Sequence, residues 1–476
     1  MQDTGRKMEM GAQLEAMKAA QIRDGIPSAQ VRRDRLDRAI ALLIDNREAL
    51  SQAMSDDFGH RSSVVNDFAD IAGSIKSLKT AKKNAEKWMR AEKRGVDFPL
   101  GLFGAKAHVH HVPKGVVGIM SPWNFPVAMV FQPLAGVFAA GNRAMVKPSE
   151  FTERTSELMA ELIAKYFDPE ELTVFTGGPE VGAAFSTLDF DHVIFTGATG
   201  IAKHVMRAAA DTLTPLTLEL GGKSPAILGR TADLEKAAAR IMAGKTLNAG
   251  QICLAPDYAL TPHDKTGEFV DHAVASVTKM YPTLKDNPDY TSMVNQRHYD
   301  RMMGYIEDAR DKGAEVIEIN PANENFTQQP HHKIPPHLIL DPSDDMEVMK
   351  NEIFGPLLPI KSYTDLREAI DFVNGRDRPL GLYAFGDGAE TDQVVNSTTS
   401  GGVTVNDVIM HVASEDTPFG GIGPSGMGHY HGYDGFREFS HQKTVYKQTG
   451  SEKIAGILRP PYSNMALKTV ESMIKK

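Results

Sequence analysis

The stretch HVIFTGATGIAKHV, residues 192–205, begins as a short apolar strand, breaks at Gly197 and Gly200, and continues with the apolar spacing of a helix. A strand that runs through glycines into a helix is the repeating unit of a parallel sheet covered by helices. Working outward, the same alternation recurs. Val116–Met120, Ala144–Lys147, Leu172–Phe175 and Leu216–Leu220 read as strands, and helices are predicted over Thr152–Tyr166 and Ile201–Ala210. A second series has strands near Tyr258–Thr261, Leu358–Ile360, Leu382–Phe385 and Val403–Val405. The predicted class is α/β, with two doubly wound lobes across a cleft and their boundary near Gly221–Gly222.

The flanking regions read differently. Before Val112 the pattern is helical: Leu36, Ile40, Leu43 and Ile44 form one stripe, Ile71, Ile75, Leu78 and Ala85 another, and Ser28 is the predicted cap of the first. These helices are assigned no chemistry. Residues 287–336, rich in Pro and Asn, give a mixture of helix and loop.

Composition narrows the function classes. The chain has 476 residues, 52 Lys and Arg against 61 Asp and Glu, and a net charge of −9, which argues against a mainly electrostatic nucleic-acid binder. One cysteine excludes an intrachain disulfide framework, a multi-cysteine zinc site and a cysteine-ligated cluster. The N-terminus lacks the apolar core of a signal peptide, and the most apolar stretch, Val127 to Ala140, is interrupted by Gln132 and Pro133. The expectation is a soluble, cytoplasmic protein with no membrane and no nucleic-acid partner.

Several strand ends carry chemistry. Gly197 and Gly200 at a helix start suit a phosphate cradle or an ordinary turn. Lys147 and Glu150, in AMVKPSE, suit ribose hydroxyls or a solvated surface pair. Glu219, in TPLTLELGGKSP, has leucine neighbours that would raise its pKa and make it a base, unless it simply reaches water. Cys253, in LNAGQICLAPDY after a helix that Asp233 could cap, is a nucleophile if local dipoles or partners lower its pKa, and otherwise an inert filler. Asn124, in SPWNFP, is a fixed amide that could serve an oxyanion or only a turn. Glu352 and Phe354 lie in EIFGP. HVHH at 108–111 and the pair His331–His332 lack a third ligand at metal spacing; an edge strand and a loop are predicted there, and no metal.

Taken in order, SPWNFP, KPSE, FTGATG, LELGGKSP, GQIC, EIFGP and PFGGIGPSGMG resemble the aldehyde dehydrogenase superfamily from about Val112 to His441. The wording after Cys253 and the ending SGMGHYHGYDGFREFSH resemble its shorter, dimeric branch, and IFTGATGIAKHVMRAAAD is similar to the bacterial coniferyl aldehyde dehydrogenases. Membrane-anchored relatives carry an apolar tail, and no apolar run follows Thr449 here.

The resemblance implies two Rossmann-like lobes with a small β oligomerisation arm. It implies an NAD-binding domain over 1–105 and 118–221 with part of 407–430, a catalytic domain over 222–406, an arm over 106–117 and 431–450, and a tail over 451–476. It further implies Cys253 as nucleophile, Asn124 with the Cys253 backbone N–H as oxyanion donors, and Glu219 as general base. Trp123, Lys147, Glu150, Gly197, Ala198, Thr199, Gly200, Leu220, Glu352 and Phe354 would hold the cofactor, NAD with NADP also open, and Phe419 would lie at the substrate mouth. Ala198 stands where many relatives have Ser, and Ala202 where many have Gly.

The expected reaction is oxidation of coniferyl or a related aromatic aldehyde to the acid through a thiohemiacetal and a thioester, by a homodimer. Acylating relatives that pass the thioester to coenzyme A lack the glutamate, so Glu219 favours hydrolysis. The alternatives are a fatty or other aromatic aldehyde, a hydrolase using Glu219, Lys223 and Cys253, and a non-catalytic derivative of the fold.

Overall fold

The computed structural model describes residues 2–98 and 100–475; Met1, Pro99 and Lys476, which fall in the predicted outer segments, lie outside the described residues. A six-stranded sheet has the spatial order Gly426–Met427, Leu216–Glu219, His192–Thr196, Val116–Met120, Arg143–Lys147, Leu172–Val174. Its strands are parallel except Gly426–Met427, which runs antiparallel to Leu216–Glu219. Val116–Met120 and Arg143–Lys147 are buried at every position, as a strand covered on both faces must be. The helix Ala128–Ala140 beneath them is almost wholly buried and contains Pro133, so the apolar stretch that resembled a broken span is a core helix.

The chain leaves this sheet at Glu219 and enters the second at Pro225. That sheet has seven strands in the order Glu315–Glu318, His337–Leu340, Leu357–Tyr363, Tyr258–Pro262, Pro225–Leu228, Gly381–Phe385, Gly402–Val405. Three of these strands escape the sequence reading. Pro225–Leu228 is four residues long and opens on a proline, which is permitted only at a strand's first position or edge. Glu315–Glu318 reads as polar because it is an exposed edge strand. His337–Leu340 is masked by the prolines before it, and the predicted mixture at 287–336 also holds the helix Gln296–Asp311.

A third sheet, antiparallel, has the order Glu92–Arg94, Lys106–Pro113, Ser440–Lys447. The HVHH segment is therefore its central strand, not an edge strand. His111 turns inward onto Glu92 at 2.9 Å, satisfying a ring nitrogen that a lone sequence cannot pair.

Among the N-terminal helices Ser28 caps Ala29–Asp45, its hydroxyl accepting from the Val31 N–H at 3.3 Å. Leu36, Ile40 and Leu43 are buried, but Ile44 is half exposed, because the stripe drifts off the core face at the end of the helix. Ile71 lies in a π-helical segment, Asn66–Ala72, ahead of Gly73–Trp88. That wider turn carries Asp70 into the interior, where it pairs with Arg61 at 2.9 Å with both side chains fully buried. Among the described residues no helix is long and apolar enough to cross a membrane.

Candidate active site

The helix Leu234–Thr246 starts at Asp233, whose carboxylate accepts from the Lys236 N–H at 3.1 Å, as the sequence predicts. Beyond it the chain reverses through three left-handed residues, Asn248 (φ 50°), Ala249 (φ 51°) and Gly250 (φ 74°). Only glycine fits the last, since a Cβ there would stand 2.3 Å from the Gly355 carbonyl oxygen of the EIFGP loop. The reversal presents Cys253, half-buried, to the cleft.

The thiol does not meet the condition of a lowered pKa that the sequence reading attached to a nucleophile. Burial, then the charges of Glu352 and Glu219, push it up to about 12. The resting sulfur is protonated, so it becomes a nucleophile only when a nearby base takes its proton. Glu219 is positioned for that. It ends its strand fully inside, and neither carboxylate oxygen meets a hydrogen-bonding partner among the described residues. Burial and the charge of Glu438 hold it well above the usual carboxylate range. The reading of Glu219 as a strand-end charge reaching water fails.

Asn124 lies between Val116–Met120 and Ala128–Ala140. One N–H of its amide donates to the Gln251 carbonyl at 3.1 Å, which aims the group at the cysteine loop and leaves its second N–H for another acceptor. The loop is held from behind by groups the sequence reading missed. Asn248 donates to the Asn124 and Gln251 carbonyls, each at 3.2 Å, and accepts from Arg61 Nε at 3.0 Å. Asp70, paired with Arg61, accepts from the Val127 and Ala128 N–H groups at 3.0 and 2.9 Å. One buried ion pair therefore anchors both the amide loop and the cysteine loop. The available sequence signal was Asn248 itself, a residue that tolerates left-handed backbone, just before Gly250.

A cradle lines the ends of the first sheet. Lys147 is buried and meets Glu150 at 3.0 Å, so the two are not a solvated surface pair. The helix Thr199–Thr212 starts at Ala198 without a side-chain cap among the described residues, leaving its first N–H groups open to an anion. The Gly197 N–H donates to the Glu219 carbonyl at 3.0 Å, the Thr199 hydroxyl to the Pro424 carbonyl at 3.1 Å, and the Leu220 N–H to the Ser425 carbonyl at 3.1 Å. Nothing among the described residues stands within 4 Å of a Cβ at Gly200, so that side of the turn is open.

Across the cleft Glu352 is half-buried, its Oε1 buried and unpartnered among the described residues, and burial and Asp257 push it up to about 8. It leans over Gly221, where a Cβ would fall 2.2 Å from that oxygen. Phe354 adopts φ 51° and sets its ring edge-on to Trp123 at 5.3 Å; Trp123 also packs on His298 at 4.9 Å. An orphaned buried carboxyl oxygen, an uncapped helix start and a Lys–Glu pair along one cleft fit the ribose, phosphate and ring of a dinucleotide.

Phe419 is stacked on His431 at 5.0 Å, with Tyr430 at 5.7 Å and His411 at 6.1 Å. Burial keeps both histidines neutral, with pKa values pushed down to about 4, and the two His431 ring nitrogens have no partner among the described residues. His411, Tyr430 and His431 were not foreseen. The signal for two of them is only the aromatic density of HYHGYDGF.

Lys223 is committed elsewhere: it donates to Asp257 and to the Val348 and Asn351 carbonyls at 2.6 and 2.8 Å, using all three protons. This removes the lysine that a Glu–Lys–Cys hydrolase requires. Among the described residues no cluster of three or more His, Cys, Asp or Glu could hold a metal ion.

Comparison with known proteins adds independent findings. Residues 3–445 match the aldehyde dehydrogenase family. A protein of Caulobacter vibrioides named a probable coniferyl aldehyde dehydrogenase is 60% identical over 474 residues, covering 99% of this chain and 98% of its own. The coniferyl aldehyde dehydrogenase of a Pseudomonas species is 54% identical over 457 residues, covering 95% and 94%. Staphylococcus aureus AldH, solved in a substrate-bound state, superposes with a TM-score of 0.91 at 34% identity, covering 98% of this chain and 99% of its own. A betaine aldehyde dehydrogenase variant of the same organism, in complex with NAD+, gives 0.82 at 25% identity and covers 92% and 89%.

Proposed function

The chain belongs to the aldehyde dehydrogenase family, and from that premise we propose that it oxidises coniferyl or a related aromatic aldehyde to the acid with NAD as preferred acceptor. It is an NAD(P)-dependent oxidoreductase acting on aldehydes, with the fold of that family. The observation that carries the catalytic reading is Glu219, buried with both oxygens unpartnered among the described residues and bearing on the charge of the chain's one thiol. Once ionised, a carboxyl in that state is a base with no other partner for its charge among the described residues.

In this reading Glu219 takes the Cys253 proton and the sulfur adds to the aldehyde carbon. The oxygen becomes an oxyanion, accepting from the second Asn124 N–H and the Cys253 backbone N–H. A nicotinamide held in this cleft would supply the hydride acceptor, so that collapse of the adduct leaves a thioester on Cys253. Glu219, its proton released, then takes one from water; the resulting hydroxide attacks the thioester carbon, and Cys253 leaves as the thiolate. Lys147 and Glu150 bind the adenosine ribose, and Glu352 the other ribose. Trp123, Phe354 and the Gly197–Gly200 turn, with Ala198, Thr199 and Leu220, shape the ring and phosphate sites. Glu150 disfavours a 2′-phosphate, which supports NAD over NADP.

The aromatic wall of Phe419, His411, Tyr430 and His431 supports an aromatic aldehyde, and the two relatives above 50% identity carry the coniferyl name. In the same reading residues 1–105 and 118–221, with part of 407–430, form the cofactor domain and 222–406 the thiol domain. Residues 106–117 and 431–450 form the arm of a homodimer, and 451–476 a tail. The edge strand Ser440–Lys447, exposed along its length after Ser440, is the element that would pair between copies.

Initial rates followed by NADH absorbance test the substrate. Coniferyl aldehyde with NAD is expected to exceed a long fatty aldehyde in kcat/KM by at least about tenfold, the discrimination of a few misplaced methylenes, and NAD to exceed NADP. A faster fatty aldehyde would overturn the assignment. Asn124→Ala is expected to lower kcat by about 10²–10³, with NAD affinity by calorimetry unchanged. A variant with full kcat would remove Asn124 from the oxyanion site.

A further inference from the structure

Behind the strand that carries Glu219 runs a buried polar line that the reaction as described does not use. Thr217, two residues before Glu219 and on the same face of the strand, donates its hydroxyl proton to Glu438 Oε1 at 2.7 Å. That hydroxyl stands 2.8 Å from His192 Nε2, and His192 Nδ1 stands 2.9 Å from Lys114 Nζ. The donors follow from one another. Thr217 has spent its only proton on Glu438, so His192 Nε2 carries the hydrogen and Nδ1 accepts from the ammonium. Burial and the Lys114 charge keep this imidazole neutral, in that single tautomer. The result is one directed line from a cation to a carboxylate, with His192 and Thr217 buried.

Its carboxylate end lies against the base. A Cβ at Gly428 would meet Glu438 Oε1 at 2.6 Å and one at Gly420 would meet Glu219 Oε1 at 3.1 Å, while the Gly428 carbonyl lies 2.1 Å from that same Gly420 position. The two carboxyl groups thus flank one backbone crossing. Besides Glu438, the ionisable groups around Glu219 are Cys253 on its loop, Tyr430 ahead of the helix Gly432–Glu438, and His429, whose ring stands 3.0 Å from the same Gly420 position. Lys114 faces Glu438 from the loop after Lys106–Pro113.

We propose that Glu438 is a positioning residue for the general base: its carboxyl, fixed at the end of the Lys114–His192–Thr217 line, faces Glu219 across one backbone crossing. The inference rests on Glu219 acting as the base. Burial by itself lifts Glu219 above the ordinary carboxylate range. A second carboxylate behind it brings proton uptake toward working pH. After burial, the charge of Glu438 is the second cause that raises Glu219.

The test is the pH profile of thioester hydrolysis in single turnover, followed by acid formation on holoenzyme. Glu438→Gln keeps the acceptor for Thr217 and removes the charge; the acid limb is expected to move down by about one pH unit. Glu438→Asp restores the charge and is expected to bring the limb back toward wild type. A uniform fall in rate with the limb unmoved, or an aspartate variant that behaves like the glutamine one, overturns the proposal. Glu219→Gln run alongside separates the two claims. If it hydrolyses the thioester at the wild-type rate, the base assignment fails. If it is inactive while the Glu438→Gln limb stays in place, only the role of Glu438 fails.

Discussion

Cys253→Ala is expected to abolish aldehyde oxidation, lowering kcat/KM by about 10⁴-fold or more, the loss typical of deleting a covalent nucleophile. The sequence has no second cysteine to substitute. The backbone of the loop is set by Asn248, Ala249 and Gly250 rather than by the thiol, so the variant should keep its fold and its affinity for NAD. One equivalent of iodoacetamide should inactivate the wild type and label one residue, read by intact mass. Because the thiol is pushed up to about 12, the thiolate fraction grows with every step upward in pH, and labelling should accelerate through the neutral range without a plateau. Turnover retained by the alanine variant would end the covalent mechanism.

The next largest effect belongs to Glu219→Gln, with a steady-state loss of about 10²–10⁴. In the proposed reaction the base serves two steps, and pH separates them. Near neutrality both acylation and hydrolysis should slow. At about pH 9–10 hydroxide can take the thiol proton in place of the carboxylate, so a burst of NADH approaching one equivalent should return, followed by a slow phase while thioester accumulates. In the wild type, a carboxyl held above its ordinary range is a competent base only once deprotonated, so turnover should rise with pH through its titration. The glutamine variant should lose that limb. Wild-type steady-state rates with an unchanged limb would show that another group activates water.

The alternation of strands and helices was legible because it is local. His192–Thr196 and Val116–Met120 have the predicted bounds, since a buried parallel strand is written as a continuous apolar run. Pro225–Leu228 was not legible, because four residues opening on proline carry no period. Glu315–Glu318 was hidden by its polar side chains at an exposed edge. The site divides in the same way. The order of motifs names Cys253, Glu219 and Asn124, but the state of the thiol depends on what is folded around it, and the local pattern left both a lowered pKa and a buried, inert thiol open. Arg61 and Asn248 are 187 residues apart in the chain, and no periodicity links them. The N-terminal helices read as packing alone because their one chemical contribution points inward through a π-helical turn.

The fully buried Arg61–Asp70 pair sets the unit in which this catalyst can be moved or rebuilt. A fragment spanning 222–406 would carry the thiol and Glu352 but leave Asn248 without its guanidinium and Asn124 on another piece. Replacing the first ninety residues with helices from a different scaffold would strand a buried charge unless the contacts at positions 61, 70, 124, 248 and 251 travelled together. The transplantable module is that matched set of contacts. It joins the N-terminal helices to the amide loop of the six-stranded sheet and to the cysteine loop that precedes Tyr258–Pro262.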